Sequence, residues 1–155
     1  MTIAIEPVAA PTPEARELLA ELDATLAAAY PPHQRHGLSL DELFRPGIRF
    51  FVARLDGAAV GCGGVALFAD FAEVKRMYTR PAARRLGVGT ALLARIEAEA
   101  RHAGLRMLRV ETGTGQAAAI GLYERRGFSR RTAFGHYAKL PPERVAASLF
   151  YEKPV

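Results

Sequence analysis

The hydrophobic residues of this chain recur at helical spacing in some segments and at strand spacing in others. Leucines along one helical face predict a helix over residues 13–29, and residues 39–42 have the form of a capping box for a short second helix. An apolar stripe over residues 88–103 predicts a longer helix that ends before Gly104. A shorter helix is expected over residues 117–126.

The remaining apolar segments are typical of strands. The runs 48–54 and 58–67 are joined by Asp56-Gly57, a dipeptide that suits a tight hairpin turn because it accepts positive φ. Further strands are predicted over residues 2–8, 71–79, 105–112, 128–133 and 148–153. Helices and strands mixed along the chain in this way indicate the α/β class.

Length and composition limit the kind of protein. With 155 residues, half of them hydrophobic, the chain has the size of one ordinary domain, and we expect a single domain over residues 1–155. No apolar run is long enough to cross a membrane and the first residues do not resemble a signal peptide, so we expect a cytoplasmic protein without a membrane partner. The lone Cys62 argues against a disulfide or a metal site.

The charge points to an anionic partner without identifying it. The formal net charge is +5 and the isoelectric point is about 9.8. The arginines are scattered over predicted helices and turns, and no basic stretch is interleaved with aromatic residues. This distribution argues against nucleic acid as the partner.

The turn after the predicted strand 71–79 is rich in arginine and glycine. Strict alternation along that strand would place Glu73 and Met77 on one face and Arg76 on the other. The turn contains Arg84-Arg85-Leu86-Gly87-Val88-Gly89 directly before a predicted helix. Unpaired amides at the helix start, glycines that allow close approach and two arginines together predict a diphosphate site.

Three phosphate-binding patterns compete for this turn. The Walker A pattern is absent from the chain. A dinucleotide fingerprint begins at Gly87 and Gly89 but meets Leu92 at its third glycine, although Glu111 lies where a ribose-binding acid would be expected, so it stays open as a rival. The pattern Arg/Gln-x-x-Gly-x-Gly/Ala matches residues 84–89 at every position.

A second segment, QAAAIGLYERRGF at residues 116–128, accompanies that turn. Together the two segments resemble the GNAT (Gcn5-related) acetyltransferases, which transfer an acetyl group from acetyl-CoA to an amine. Ala119, Tyr123 and the Gly127-Phe128 pair fall on the spacing of that family's later motif, with Gln116 where asparagine is usual. The segments AEVKRMY, ETG and FGHY, which begin at residues 72, 111 and 134, resemble a bacterial subgroup of the family.

The resemblance implies a fold, a cosubstrate and a mode of transfer. The fold is a mixed, mostly antiparallel splayed sheet flanked by helices. Acetyl-CoA would bind along the strand and the turn without a metal, and its acetyl group would pass directly to an amine of a small molecule or peptide; homodimer formation is an open expectation. The implied cofactor-binding residues are Met77, Tyr78, Thr79, Arg84, Arg85, Leu86, Gly87, Val88, Gly89, Thr90, Gln116 and Tyr123.

The chemistry requires a base, because an alkylamine with a pKa of about 10 is almost fully protonated at neutral pH. Glu73 is the first candidate and Glu111 the second, while an ordinary ion pair between Glu73 and Lys75 or Arg76 is the alternative. Tyr123 is placed by the resemblance where it could protonate the leaving thiolate; the alternative is a core aromatic residue.

The acceptor pocket is expected on the side formed by residues 30–45 and 134–147. Its candidate residues are Tyr30, His33, Glu111, His136 and Tyr137. The sequence does not identify the acceptor. A non-catalytic protein that binds CoA or regulates another protein remains an alternative, as do the dinucleotide-binding and nucleic-acid-binding hypotheses.

Overall fold

The strands form one seven-stranded sheet in the computed structural model, which describes residues 1–155. They are β1 (Ile3–Pro7), β2 (Ile48–Leu55), β3 (Ala58–Leu67), β4 (Ala72–Thr79), β5 (Met107–Gly113), β6 (Ser129–Arg131) and β7 (Ser148–Pro154). Their order is β1-β2-β3-β4-β5-β7-β6, and only β4 and β5 pair in parallel. The expected mixed, mostly antiparallel sheet is confirmed.

Local signals in the sequence explain where the helices begin and end. The helices are α1 (Pro13–Ala29), α2 (Leu40–Leu43), α3 (Val88–His102), α4 (Ala117–Arg125) and α5 (Pro142–Val145). The Thr12 side chain caps α1, and Ser39 and Glu42 form the expected capping box on α2. Gly104, with φ of 79°, follows the end of α3. The short helix α5 was not predicted. No helix combines the length and apolar character needed to cross a membrane.

Helices cover both faces of the sheet and divide the core into two layers. On one face α3 buries its apolar stripe, including Leu92 and Ile96, against inward residues such as Phe51. On the other face α1 buries Leu18 and Leu22 among a second set of sheet residues. The side chains of successive residues in β2 therefore pack into opposite core layers, as strand alternation requires.

A β-bulge interrupts β4 and changes which side chains share a face. Lys75 lies opposite Gly64 and Tyr78 opposite Cys62, so two residues of β4 occupy the space across from one residue of β3. Arg76, with φ of 57°, lies in this bulge.

The bulge corrects the expected alternation. Arg76 contacts Asp23 of α1, on the same face as Glu73, whereas Met77 packs into the α3 layer. The expectation that Glu73 and Met77 share a face is therefore wrong. The extra residue reverses the alternation after Lys75, and the local sequence has no glycine or proline that would signal it.

The sheet opens where β4 and β5 separate. Their pairing is limited to Ala72, Glu73 and Val74 with Leu108, Arg109 and Val110. Beyond Val74, β4 has no strand neighbour on the β5 side, while β5 continues to pair with β7 as far as Gly113. The opening between residues 75–79 and residues 111–113 is called the sheet gap below.

Candidate active site

A cavity of about 120 Å³ occupies the sheet gap. One end is lined by Ala119 and Tyr123 of α4 and by Gln116, the residue before this helix. The C-terminal half of α1 and the loop at residues 34–37 line the other. The cavity is thus bounded by elements from both faces of the sheet, which lets two molecules approach one point from opposite sides.

The turn before α3 presents a row of free amides. Arg85 and Gly87 have φ of 65° and 92°, and Gly87 occupies the N-cap without a side-chain hydrogen bond. The amides from Arg85 to Thr90 donate to no acceptor in the protein. They lie at the positive end of the α3 dipole, so the turn has the geometry of an anion site.

The two glycines of this turn are needed at their positions for different structural reasons. Gly87 adopts a left-handed conformation that favours glycine. At Gly89 an added Cβ would lie 2.9 Å from Leu122 Cδ2 of α4, so the glycine allows α3 and α4 to approach. The Arg84 guanidinium is held by the Thr79 carbonyl oxygen at 3.1 Å, and the exposed Arg85 forms no ion pair.

Glu73 lies in a buried network at the edge of the cavity. Only 2% of its surface is exposed. Tyr137 donates a 2.6 Å hydrogen bond to Glu73 Oε2, and Lys75 Nζ lies 3.2 Å from the same oxygen. Lys75 also donates to the His36 carbonyl oxygen at 3.3 Å. The alternative of an ion pair with Lys75 is therefore realised, while Glu73 Oε1 accepts no hydrogen bond from the protein.

Glu111 lines the same cavity from β5. Ser148 donates a 2.7 Å hydrogen bond to Glu111 Oε2. Burial raises the pKa of Glu111 above its ordinary value, because the charged form loses its hydration, although the Ser148 hydrogen bond opposes this rise. A carboxyl group with a raised pKa is better suited to accept a proton at neutral pH.

The raised pKa of Glu111 predicts a measurable dependence of stability on pH. A group that binds its proton more tightly in the folded state stabilises the protein at low pH and loses that contribution as pH rises from 4.5 through the raised value. Urea denaturation should show stability falling over this window, and Glu111→Gln should remove the fall. Glu143→Gln, at an exposed carboxylate, serves as the control. Equal pH dependence in the wild type and Glu111→Gln would contradict the prediction.

Tyr123 belongs to the core and also lines the cavity. Its ring is buried against Phe128 in the α3 layer. Its hydroxyl has no hydrogen-bond partner in the protein, and the residue lines the cavity. Burial raises the pKa of Tyr123, so its hydroxyl stays protonated at neutral pH.

Of the other predicted acceptor residues, only Tyr30 lines this cavity. Its hydroxyl accepts a 3.0 Å hydrogen bond from the Gly115 amide. Tyr137 lines neither of the two cavities described, and its hydroxyl donates to Glu73. His136 stacks on Tyr137 with ring centroids 4.0 Å apart and lines a second cavity of about 300 Å³ that also reaches Glu73. Burial lowers the pKa of His136.

The expected position of His33 is corrected. The 3-10 turn at Pro32–Gln34 directs the loop so that His33 is exposed and lines neither cavity, while His36 lines the first. The His33 carbonyl oxygen accepts a hydrogen bond from Arg144 Nε at 3.3 Å, so this residue ties the loop to α5.

Three basic residues at the cavity were not predicted as site residues. Arg35, Lys75 and Arg76 all line it. Lys75 and Arg76 belong to the AEVKRMY segment, which contributes to the family resemblance. Charged residues in the middle of a predicted strand are unusual, and this signal could have identified both as site residues. Arg35 lies in an irregular loop, where no spacing rule places a side chain.

A splayed sheet with a cavity in its gap and free amides at the following helix is the arrangement that the resemblance to the acetyl-CoA-dependent acyltransferases implies. The sequence profile of the Acetyltransferase (GNAT) family matches residues 15–128, and the chain belongs to this family. It is accordingly an acetyl-CoA-dependent N-acetyltransferase.

Relatives and solved structures agree with this assignment. An IAA acetyltransferase of Azospirillum brasilense is 47% identical over 141 residues, which cover 90% of this chain and 89% of that protein. A Klebsiella pneumoniae protein assigned to the acyl-CoA N-acyltransferases is 36% identical, with a TM-score of 0.77 over 99% of this chain and 97% of its own. The PaiA N-acetyltransferase of Thermoplasma acidophilum, solved with coenzyme A, is 20% identical and shares the fold, with a TM-score of 0.77 over the whole of both chains.

Proposed function

We propose that the protein transfers the acetyl group of acetyl-CoA directly to a primary amine bound in the same cavity. The observation that carries this proposal is the convergence of Glu73, Glu111 and Tyr123 on one cavity in the sheet gap. Direct transfer is favoured because Cys62 is buried and burial raises its pKa to about 12, which leaves no thiolate nucleophile.

The residues around the turn fit the cosubstrate. The free amides from Arg85 to Thr90 and the exposed Arg85 side chain suit the diphosphate. The main chain of Met77 to Thr79 has no strand partner on the β5 side and can pair with the amides of the pantetheine arm. Acetyl-CoA supplies the activated acetyl thioester, and Gln116 and Tyr123 lie along the same end of the cavity.

Glu73 is proposed as the base. Its Oε1 atom is free of protein partners, and the Tyr137 hydrogen bond and the Lys75 ion pair fix the orientation of the carboxylate. The acceptor ammonium would give up a proton to this oxygen, directly or through water, before the amine nitrogen bonds to the acetyl carbon. Glu111 is the second candidate, favoured by its raised pKa.

Tyr123 is proposed to assist the departure of the thiolate. As the carbon–sulfur bond breaks, sulfur gains negative charge, and a phenol that keeps its proton can donate a hydrogen bond or the proton itself. The free hydroxyl of Tyr123 at the cavity meets this requirement.

The test combines binding with turnover. Calorimetry with acetyl-CoA should show binding, and thiol release should rise when amines from a broad panel are added. Binding without transfer to any amine would favour a non-catalytic CoA-binding protein. Thermal protection by NAD that exceeds protection by acetyl-CoA would instead favour a dinucleotide site.

A further inference from the structure

The end of the cavity formed by α1 and the loop at residues 34–37 carries more positive charge than recognition of an amine requires. Arg35 and Arg76 both line the cavity. The Nε atoms of both guanidinium groups are enclosed and have no hydrogen-bond partner. Because a buried donor left unpaired costs about 1–3 kcal/mol, and more when it is charged, two incompletely paired guanidinium groups at one cavity require an explanation.

Arg76 is held in place from one side only. Its side chain is 5% exposed, and Nη2 donates to Asp23 of α1. The bulge in β4 turns this residue towards α1, and a Cβ at Gly37 would collide with Arg76 Nη1, so the loop backbone passes directly over the guanidinium. One edge of the guanidinium is therefore satisfied by protein, and Nε is not.

Arg35 reaches the cavity from the loop. Its side chain is half-buried, forms no ion pair and makes no hydrogen bond to any other residue. The loop that carries it is tied to α5, since His36 Nε2 lies 2.7 Å from the Arg144 carbonyl oxygen. The guanidinium is thus presented by an anchored segment without being neutralised by a carboxylate.

We propose that the acceptor carries a carboxylate in addition to its amine, and that Arg35 and Arg76 bind that carboxylate. This inference rests on the proposed function. Guanidinium groups match the planar geometry of a carboxylate, and Arg76 Nη1 and both Nη atoms of Arg35 make no hydrogen bond in the protein, so they are free to bind one. Glu73 and Glu111 on the strands of the same cavity suit the ammonium end. The substrate class is therefore an amino acid or a related aminocarboxylate.

Matched substrates separate the charge of the acceptor from its size. The panel contains 4-aminobutyrate, its carboxamide and butylamine, with rates corrected for the fraction of neutral amine. We expect kcat/KM for the carboxylate to exceed that for the carboxamide at least tenfold. In Arg35→Gln that ratio should fall towards one, mainly through a higher KM, whereas Arg106→Gln, at an exposed arginine on the opposite end of β5, should keep it.

A binding measurement avoids dependence on turnover. N-acetyl-4-aminobutyrate should bind to the wild type in calorimetry and bind at least tenfold more weakly to Arg35→Gln. The variant pair Arg76→Gln with Asp23→Asn removes the second guanidinium without leaving Asp23 unpaired, and circular dichroism checks its fold.

The outcomes distinguish this inference from the proposed function. Equal corrected rates for the carboxylate and the carboxamide would overturn the inference and leave amine acetylation in place. A preference that survives in both arginine variants would also overturn it. Absence of thiol release with every amine, together with retained acetyl-CoA binding, would overturn the proposed function itself.

Discussion

Replacing Glu73 by glutamine should lower kcat by about 10²- to 10⁴-fold at neutral pH, because it removes the carboxylate that accepts the proton of the attacking ammonium. Glutamine keeps the size of the side chain and can still accept the hydrogen bond from Tyr137. Acetyl-CoA should bind with unchanged affinity, since its proposed diphosphate site is the turn before α3. Steady-state thiol release and calorimetry measure the two effects.

Glutamate-to-glutamine substitutions at two other positions provide the control and test the second candidate base. Glu99→Gln changes a carboxylate on α3 that pairs with Arg95 at 3.1 Å, and its turnover should match the wild type. Wild-type turnover in Glu73→Gln with a large loss in Glu111→Gln would transfer the role of base to Glu111. Tyr137→Phe should cause a smaller loss than Glu73→Gln, because it removes only the hydrogen bond that orients the carboxylate.

Removing Lys75 should have the largest effect on stability. Lys75 and Glu73 form an ion pair whose side chains are 7% and 3% exposed. Lys75→Met leaves a buried carboxylate without its counter-charge, which should cost about 3–5 kcal/mol of unfolding free energy. Urea denaturation measures this loss, and adding Glu73→Gln to the variant should recover part of it because the remaining charge is removed.

An exposed pair provides the comparison. Glu17 lies 3.3 Å from Arg80 and its side chain is 67% exposed, while Arg80 also keeps Glu21 as a partner. Glu17→Gln should change the unfolding free energy by about 0.5 kcal/mol or less. A loss of that small size in Lys75→Met would show that the buried pair contributes no more than a surface one.

Features set by neighbouring residues could be predicted from the sequence. Asp56 and Gly57 adopt φ of 48° and 88° in the hairpin between β2 and β3, as their residue types predict. Gly104 ends α3 for a similar local reason. The family resemblance also rested on short segments, and the match to residues 15–128 confirms it.

Features that depend on distant contacts could not be predicted in the same way. The bulge at Arg76 depends on pairing with β3, and it reversed the expected positions of Arg76 and Met77. The presence of Arg35 and Arg76 at one cavity depends on the path of the loop after α1. His33 and His36 lie three residues apart in one loop, and the path of the 3-10 turn decides which one reaches the cavity.

The position of β7 determines when the site can form during protein synthesis. Of the described strands β7 is last in sequence, yet it lies between β5 and β6. Until it leaves the ribosome, β6 has no strand to pair with and Glu111 lacks the hydroxyl of Ser148. The sheet can therefore close, and Glu111 can gain its hydrogen bond from Ser148, only after β7 has been synthesised.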